Sequence, residues 1–171
     1  CDWSSDMCSS DLACCQTKPH KQFIFRIAGD VEILQTDYEE EAAEEKIGMF
    51  RVPYGKCLTG SGLSEYYKSH DFSALGNGCE VCVELMHRLH SDFSYESWIT
   101  NIHTTAEEAW ELGRGVCQDY AHIYITLLRM AGIPARYVCG LIIGEGASHA
   151  WVEALCDGRW LAFDPTNDCL V

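Results

Sequence analysis

One short stretch organises the interpretation of this chain: Gly113-Arg114-Gly115-Val116-Cys117 stands directly before an apolar helical pattern over residues 118–131. The glycines permit a tight turn and a close approach of substrate to the backbone. A cysteine at the start of a helix can be held as a thiolate by free N–H groups and by the helix dipole. Gly132 and Pro134 end the pattern as a cap and a stop. The stretch therefore predicts a helix whose N-terminus carries a candidate nucleophile, Cys117.

Downstream of this helix the pattern changes to a series of strands. Residues 135–144 are apolar, a glycine-rich turn leads into a run from His149 to Cys156, and Asp157-Gly158 is a strong hairpin signal. A last strand from Arg159 to Phe163 ends at Asp164-Pro165. A helix followed by an antiparallel meander is an α+β arrangement, in which the helix packs on the sheet.

Upstream of residue 113, four segments of the chain show a recognisable pattern. Residues 20–37 alternate as strands do, and residues 47–78 are punctuated by glycine and proline and predict a connector. Apolar residues at helical spacing from Cys79 to Phe93 predict a helix. Residues 94–113 predict a loop and a short acidic helix capped by Thr104 or Thr105.

The composition is that of an ordinary globular protein, with 171 residues, 47% hydrophobic and 22% charged. No apolar run reaches the roughly 18 residues that span a bilayer. The formal net charge of -14 repels nucleic acid and anionic membrane surfaces. We therefore expect neither nucleic acid nor a membrane as a partner.

The first residues of the chain differ in character from the rest. The run from Asp2 to Leu12 resembles the translation of a sequencing-library adapter, with Met7 at the one position that differs. It has no useful period and few apolar groups to bury. We expect residues 1–12 to be non-native, and removing their three aspartates changes the net charge to -14 + 3 = -11. Because the chain also stops soon after Asp164, we expect a fragment truncated at both ends.

The chain contains eleven cysteines, an odd number that cannot pair completely. No signal peptide is visible at the N-terminus. We expect most of these cysteines to be free thiols in a reducing cytoplasm, although an export signal could be lost with a truncated N-terminus.

Three side chains have the chemistry of a nucleophilic triad. Cys117 is the nucleophile, His149 at the start of a strand is its base, and Asp164 at the end of the next strand orients the base and fixes its tautomer. In an antiparallel pair, the start of one strand lies beside the end of the next. The hairpin between them therefore predicts that His149 and Asp164 are neighbours.

Four sequence boxes carry a resemblance to a known family. They are Gly115-Val116-Cys117-Gln118-Asp119-Tyr120-Ala121-His122, Gly132-Ile133-Pro134-Ala135-Arg136-Tyr137-Val138, Ser148-His149-Ala150-Trp151-Val152-Glu153, and Trp160 with Phe163-Asp164-Pro165-Thr166. Together they resemble bacterial transglutaminase-like proteins, a family often regarded as cysteine proteases. The resemblance is specific over residues 92–168 and weaker over residues 20–75, and its cysteine, histidine and aspartate boxes match Cys117, His149 and Asp164.

The resemblance implies a papain/transglutaminase-like catalytic core at residues 76–171, truncated at its C-terminus and preceded by a β-rich region and connector at residues 13–75. It implies an enzyme that transfers the acyl group of a peptide or protein amide through a Cys117 thioester, as a hydrolase or a transglutaminase. We expect no cofactor and no metal. One alternative is a non-catalytic transglutaminase-like module that binds peptides. Another is acyl transfer to small amines, as in arylamine N-acetyltransferases, whose boxes this chain resembles much less.

Stabilisation of the oxyanion is less specified by the sequence. The backbone N–H of Cys117 is one expected donor. The second donor could be the side chain of Trp98, Trp110 or Gln118, and the sequence does not choose among them.

Two further signals carry less weight. Cys79-Glu80-Val81-Cys82 with His87 and His90 imitates a zinc spacing, but a helix would direct the cysteines to the core and His87 elsewhere. His122 lies on the same helix as Cys117 but is rotated away from it, so we expect a hydrogen-bonded packing residue rather than a second base.

Overall fold

The computed structural model describes residues 44–70, 72, 78–140 and 148–171, with side chains from residue 47 onward. These residues all belong to one compact unit, residues 38–171. The predicted non-native segment at residues 1–12 and the predicted strands at residues 20–37 lie outside the described residues. No helix in the described part of the chain has the length and apolar character needed to cross a bilayer.

Helices dominate the first part of the described chain and strands the last part. In chain order the elements are α1 (Glu44–Arg51), a 3-10 turn (Gly55–Cys57), α2 (Ser61–Ser69), α3 (Cys79–Asp92), β1 (Ser94–Tyr95), α4 (Ala106–Leu112), β2 (Arg114–Gly115), α5 (Cys117–Met130), β3 (Ala135–Gly140), β4 (His149–Cys156), β5 (Arg159–Asp164) and β6 (Cys169–Leu170).

The sheet that faces the helices is antiparallel, with strand order β3-β4-β5-β6. Asp157 and Gly158 connect β4 to β5 with φ values of 49° and 82°, so both residues of the turn are left-handed. Two successive left-handed residues form the tight turn that matches strand twist. The predicted meander and the α+β class are therefore confirmed, and β6 adds a short strand that the sequence did not indicate.

Helix α5 forms the centre of the core and packs against β3, β4 and α3. Its apolar residues are fully buried at almost every position from Tyr120 to Leu128. Two tyrosine hydroxyls of α5 form hydrogen bonds with α3. Tyr120 donates to the carbonyl of Phe93, the C-terminal cap of α3, at 2.6 Å, and Tyr124 donates to the carbonyl of Cys82 at 2.8 Å. Because these bonds are buried, they define the position of α5 more strictly than apolar contact alone.

Residues 47–70, which we predicted to be a connector, form two helices and a 3-10 turn that join the core. Leu63 of α2 is fully buried, Tyr66 is nearly so, and Phe72 just beyond the helix is 1% exposed. Two of the glycines that suggested a connector, Gly60 and Gly62, lie at the start of α2, where the helix has no local side-chain cap. The core thus includes residues that the sequence pattern had placed outside it.

Candidate active site

Cys117 is the first residue of α5 and is half-buried against the core. The turn before it is held by a two-residue parallel strand pair, β1 with β2. Ser94 N–H donates to the Gly113 carbonyl at 3.1 Å, and Glu96 N–H donates to the Gly115 carbonyl at 2.8 Å. This pairing fixes the backbone of residues 113–115, which lead directly to Cys117 at the start of α5.

Asp119, two residues after Cys117, stabilises the same turn from within the helix. Its side chain is fully buried, and Oδ2 accepts hydrogen bonds from the Val116 N–H at 2.8 Å and the Thr100 hydroxyl at 2.6 Å. A Cβ on Gly115 would lie 2.4 Å from that oxygen. The glycine is therefore needed for the close approach of Asp119, a role that the sequence analysis did not foresee.

A pattern in the sequence could have identified the role of Asp119. An acidic side chain at the third position of a helix can bond back to the backbone at the helix cap. Asp119 holds that position once the helix is taken to begin at Cys117. Its Oδ1 is buried without a hydrogen-bond partner among the described residues.

His149 and Asp164 form a buried hydrogen-bonded pair. His149 Nε2 lies 2.7 Å from Asp164 Oδ2, and the two residues are 7% and 3% exposed. The register of β4 on β5, with Val152 opposite Phe163, brings the start of one strand beside the end of the other. The structure thus places these two side chains together, as the hairpin predicted.

Asp164 is oriented by three further donors from the turn that follows it. Oδ1 accepts from the backbone N–H of Thr166 at 3.0 Å and of Asn167 at 3.3 Å, and Oδ2 accepts from the Asn167 amide at 2.7 Å. Since every partner donates to the carboxylate, the hydrogen in the His149 pair belongs to Nε2. The lone pair is then on Nδ1, which is the form of imidazole that can accept a proton.

Trp151 shields one side of this pair. Its ring stacks near that of His149 with centroids 6.3 Å apart. The same ring lies against Gly140, which pairs with His149 across β3 and β4, and a Cβ there would be 2.4 Å from the indole. The indole therefore requires a glycine opposite the histidine.

Cys117 is not hydrogen-bonded to His149 within the described residues. Helix α5 packs against β4, so the two residues belong to packed elements. Hydrogen bonds between catalytic groups are often long before substrate binds and tighten in the complex. The structure therefore brings His149 and Asp164 together, and no hydrogen bond joins Cys117 to His149 among the described residues.

The three candidates for the second oxyanion donor differ in their surroundings. Trp110 packs between Tyr66 and Phe93, with centroids 4.4 Å and 6.5 Å away, and so belongs to an aromatic cluster of the core. The Gln118 amide donates to the Asn101 carbonyl at 3.3 Å. Trp98 is 98% exposed on a left-handed backbone, φ 72°. Of the three candidates, only Trp98 and Gln118 lie outside the aromatic cluster of the core.

The apparent zinc spacing is divided between two environments. Cys82 is fully buried with its sulfur 3.4 Å from that of Cys156, while His87 is exposed and pairs with Asp168. His90 contacts the carbonyl of Pro165 at 3.3 Å. No group of three or more histidine, cysteine or acidic side chains among the described residues is arranged to hold a metal ion.

His122 packs as expected but lacks the expected hydrogen bond. Its ring lies 5.3 Å from that of Tyr137, and its Nδ1 is buried without a partner in the described residues. Burial, with a smaller contribution from the nearby Lys56 ammonium, lowers the pKa of His122 to about 4. The imidazole is therefore neutral near pH 7, because protonation inside the protein is unfavourable.

Comparison with known proteins defines the class. Residues 73–165, more than half of the chain, match the family described as the transglutaminase-like superfamily. The chain belongs to this superfamily. The predicted family and the predicted fold class are thus both confirmed.

Individual relatives cover parts of the chain. An uncharacterized protein of Mycobacterium leprae is 42% identical over 88 residues, 46% of this chain and 31% of that protein. The crystal structure of a "putative cysteine protease" from Cytophaga hutchinsonii has a TM-score of 0.63 and 29% identity, covering 73% of this chain and 45% of its own. The periplasmic domain of TgpA from Pseudomonas aeruginosa has a TM-score of 0.58 at 23% identity, covering 74% and 49%, and shows the fold alone. The chain spans about a third of the length of the mycobacterial relatives it matches.

Proposed function

We propose that this chain is the core of a thiol-dependent enzyme that transfers the acyl group of a peptide or protein amide, with Cys117 as nucleophile, His149 as base and Asp164 as orienting group. The observation that carries the proposal is the buried pair of His149 Nε2 and Asp164 Oδ2 at 2.7 Å, on a sheet packed against the helix that Cys117 begins. The superfamily match and the Cytophaga hutchinsonii structure support the same class of chemistry.

The proposed reaction uses each group at a stated atom. His149 Nδ1 takes the proton of the Cys117 thiol, and the thiolate attacks the amide carbon. The tetrahedral oxyanion is met by the free N–H of Cys117. Collapse breaks the C–N bond, the amine leaves with the proton from Nδ1, and a thioester on Cys117 remains. Water or a second amine then attacks the thioester while giving a proton to Nδ1, and the acyl product leaves as the thiol is restored.

Asp164 has two roles in this scheme. It keeps the Nε2 hydrogen in place, so the lone pair stays on Nδ1, and its negative charge stabilises the imidazolium that forms. Asn167 and the backbone of the turn hold the carboxylate in position through three hydrogen bonds. Water and an amine can attack the same thioester, so hydrolase and transglutaminase are two forms of one proposal.

A non-catalytic peptide-binding module is the second candidate. The observation that favours it is the missing hydrogen bond between Cys117 and His149 among the described residues. A binding module needs no proton transfer between them. Against it, a module without catalysis has no use for a buried histidine–carboxylate pair, which is costly to desolvate.

Substitution at Asp164 and at Cys117 separates the two candidates. Turnover of a panel of glutamine and peptide amides should be abolished by Cys117→Ala, and Asp164→Asn should lower kcat by roughly two to four orders of magnitude. Asparagine at position 164 replaces one carboxylate oxygen with an N–H₂ group, which then faces only hydrogen-bond donors. It also removes the negative charge beside His149. Asp157→Asn, in the exposed hairpin turn, is the matched control and should retain full activity.

Circular dichroism and thermal melting must show that Asp164→Asn still folds. Turnover that survives both Cys117→Ala and Asp164→Asn would mean that the chemistry lies elsewhere. If no amide is turned over by the wild-type chain but peptides bind it and both variants equally, the binding module is the better description.

We propose a reducing compartment, the cytoplasm, for this protein. All seven cysteines in the described residues are free. Cys82 and Cys156 remain thiols although their sulfurs are 3.4 Å apart in the core. Free thiols at such a distance are typical of reducing surroundings. Mass spectrometry of the native protein with and without reductant tests this, since a Cys82–Cys156 disulfide in the cell would contradict it.

A further inference from the structure

A pocket of about 480 Å³ lies between the segment that joins α1 to α2 and the face made by α5 and β3. Its lining includes Lys56, Arg129 and Arg136 and contains no aspartate or glutamate. The whole chain has 12 lysines and arginines against 26 acidic residues. A quarter of the positive side chains therefore line one pocket in a strongly acidic protein, which is unusual enough to need a physical reason.

Arg129 carries the most constrained of these charges. It is 7% exposed, its Nε donates to the Phe50 carbonyl and its Nη2 to the Ala135 carbonyl, each at 2.9 Å. The Tyr54 ring lies 4.8 Å from its guanidinium carbon. All three partners are uncharged, and no described carboxylate forms an ion pair with Arg129. A buried cation without a counter-charge is unfavourable, so an anion beside it would be stabilising.

Lys56 adds a second positive charge without an ion-pair partner. It is half-buried at the 3-10 turn, and no described carboxylate lies within ion-pair distance of its ammonium group. Arg136 differs, because it pairs with Glu153 at 2.6 Å and stacks on Trp160 at 4.3 Å. The excess positive charge of the pocket therefore comes from Lys56 and Arg129.

The pocket is built on the helix that Cys117 begins and on the strand that pairs with β4. The His122 ring, which also lines the pocket, packs on the Tyr137 ring at 5.3 Å. Tyr137 lies on β3, three residues before Gly140, which pairs with His149. His122 follows Cys117 on the same helix. The walls of the pocket thus belong to the elements that position Cys117 and His149.

We propose that this pocket binds a carboxylate of the substrate, so that the enzyme acts on amides of acidic peptides whose glutamate or aspartate side chain lies beside the reacting amide. The proposal rests on the proposed function for the reaction at Cys117, but the binding of a carboxylate at Lys56 and Arg129 does not depend on turnover. A carboxylate suits the pocket because lysine and arginine side chains form charge-assisted hydrogen bonds with it. Tyr54 and Tyr137 also line the pocket, and their rings offer apolar surface to the stem of the acidic side chain.

The test measures binding without turnover. The chain with Cys117→Ala is titrated calorimetrically with pairs of glutamine-containing peptides that carry glutamate or glutamine at each flanking position in turn. At one position the glutamate peptide should bind roughly tenfold more tightly, as a charge-assisted contact predicts. Adding Lys56→Gln should reduce this preference to about twofold or less, and Lys56→Arg should retain it. Lys68→Gln, which removes an exposed charge from α2 outside the pocket, should leave the preference unchanged.

The outcomes separate this proposal from the proposed function. Equal affinity for glutamate and glutamine peptides at every position overturns the carboxylate pocket, even if the wild-type chain turns both over. A glutamate preference that Lys56→Gln and Lys68→Gln reduce alike reflects overall charge and also overturns it. A glutamate preference lost only in Lys56→Gln supports the pocket, and it does so even if the wild-type chain turns over no amide, a result that would count against the reaction alone. Lys56 is chosen over Arg129 because the backbone bonds of Arg129 make its removal a threat to folding.

Discussion

The turn before Cys117 depends on the contact between one carboxylate and one glycine. Asp119 Oδ2 is held by Val116 N–H and the Thr100 hydroxyl, and Gly115 leaves the space for it. Removing that space forces a buried carboxylate away from its donors. The cost of such a displacement combines steric overpacking with a lost charge-assisted hydrogen bond.

We expect Gly115→Ala to destabilise the fold by about 1–3 kcal/mol, because a well-packed buried site accepts an added methyl group poorly. Urea denaturation measures this. Gly48→Ala is the control, since a Cβ at Gly48 meets nothing within 4 Å. In the helix α1 this change should instead stabilise by about 0.5–1 kcal/mol. Equal stability of Gly115→Ala and the wild-type chain would show that Asp119 does not depend on the glycine.

At this scale the sequence predicts some contacts and not others. The pair of His149 and Asp164 follows from a hairpin whose turn and strand lengths are visible in the sequence, so the register could be counted. The bonds of Asp164 with Asn167 depend on the detailed shape of a turn after the last predicted strand. The buried position of Asp119 depends on Thr100, which belongs to a loop without a regular pattern.

Helix α2 is stabilised by a residue from another helix. Its cap residue Gly60 offers no side chain, and instead the Glu107 carboxylate of α4 accepts from the backbone N–H groups of Gly62 at 2.5 Å and of Leu63 at 3.2 Å. A carboxylate at a helix N-terminus satisfies free N–H groups and interacts favourably with the helix dipole. The cap also ties α2 to α4, which precedes the turn carrying Cys117.

Replacing this remote cap should loosen α2. We expect Glu107→Gln to cost about 1 kcal/mol, because the amide keeps one acceptor but loses the charge at the helix N-terminus. Thermal unfolding measures the change. Glu111→Gln removes the same charge from an exposed position near the C-terminal end of α4 and should be neutral or slightly stabilising. A loss in Glu111→Gln as large as that in Glu107→Gln would attribute the effect to net charge rather than to the cap.

The cap that Glu107 provides for α2 helps to explain which elements the sequence could predict. Helices α3 and α5 and strand β4 have long periodic patterns, and their observed bounds lie within a residue of those predicted. Helix α2 is short, begins in glycines and takes its cap from residue 107, so local signals pointed to a connector. Strands β1 and β2 have two residues each, too few to show an alternation.

The distribution of thiols over the whole molecule separates Cys117 from the other cysteines. Cys57, Cys82 and Cys156 are buried, and burial raises the pKa of Cys57. The hydrogen bond with Cys82 raises the pKa of Cys156 above the usual range of a thiol. Desolvation and the neighbouring Cys156 and Asp157 raise the pKa of Cys79 to about 11. Cys57, Cys79 and Cys156 are therefore almost entirely protonated near pH 7 and react slowly, and burial keeps reagents from Cys82.

Among the described cysteines, this leaves Cys117 and the exposed Cys139 and Cys169 as sites that a reagent can reach. Desolvation and the nearby Asp164 and Asp168 raise the pKa of Cys169, which lowers its reactivity. Cys139 is exposed on a strand, without the free N–H groups of a helix start.

We therefore expect iodoacetamide at pH 7 to modify Cys117 first, by about tenfold over Cys139, since thiolate content governs the rate. Peptide mapping after brief labelling measures the order. His149→Ala should slow the labelling of Cys117 and leave that of Cys139 unchanged, because only Cys117 is proposed to have that imidazole as its base. If Cys139 reacts faster in the folded chain, or if His149→Ala slows both cysteines equally, Cys117 is not an activated nucleophile.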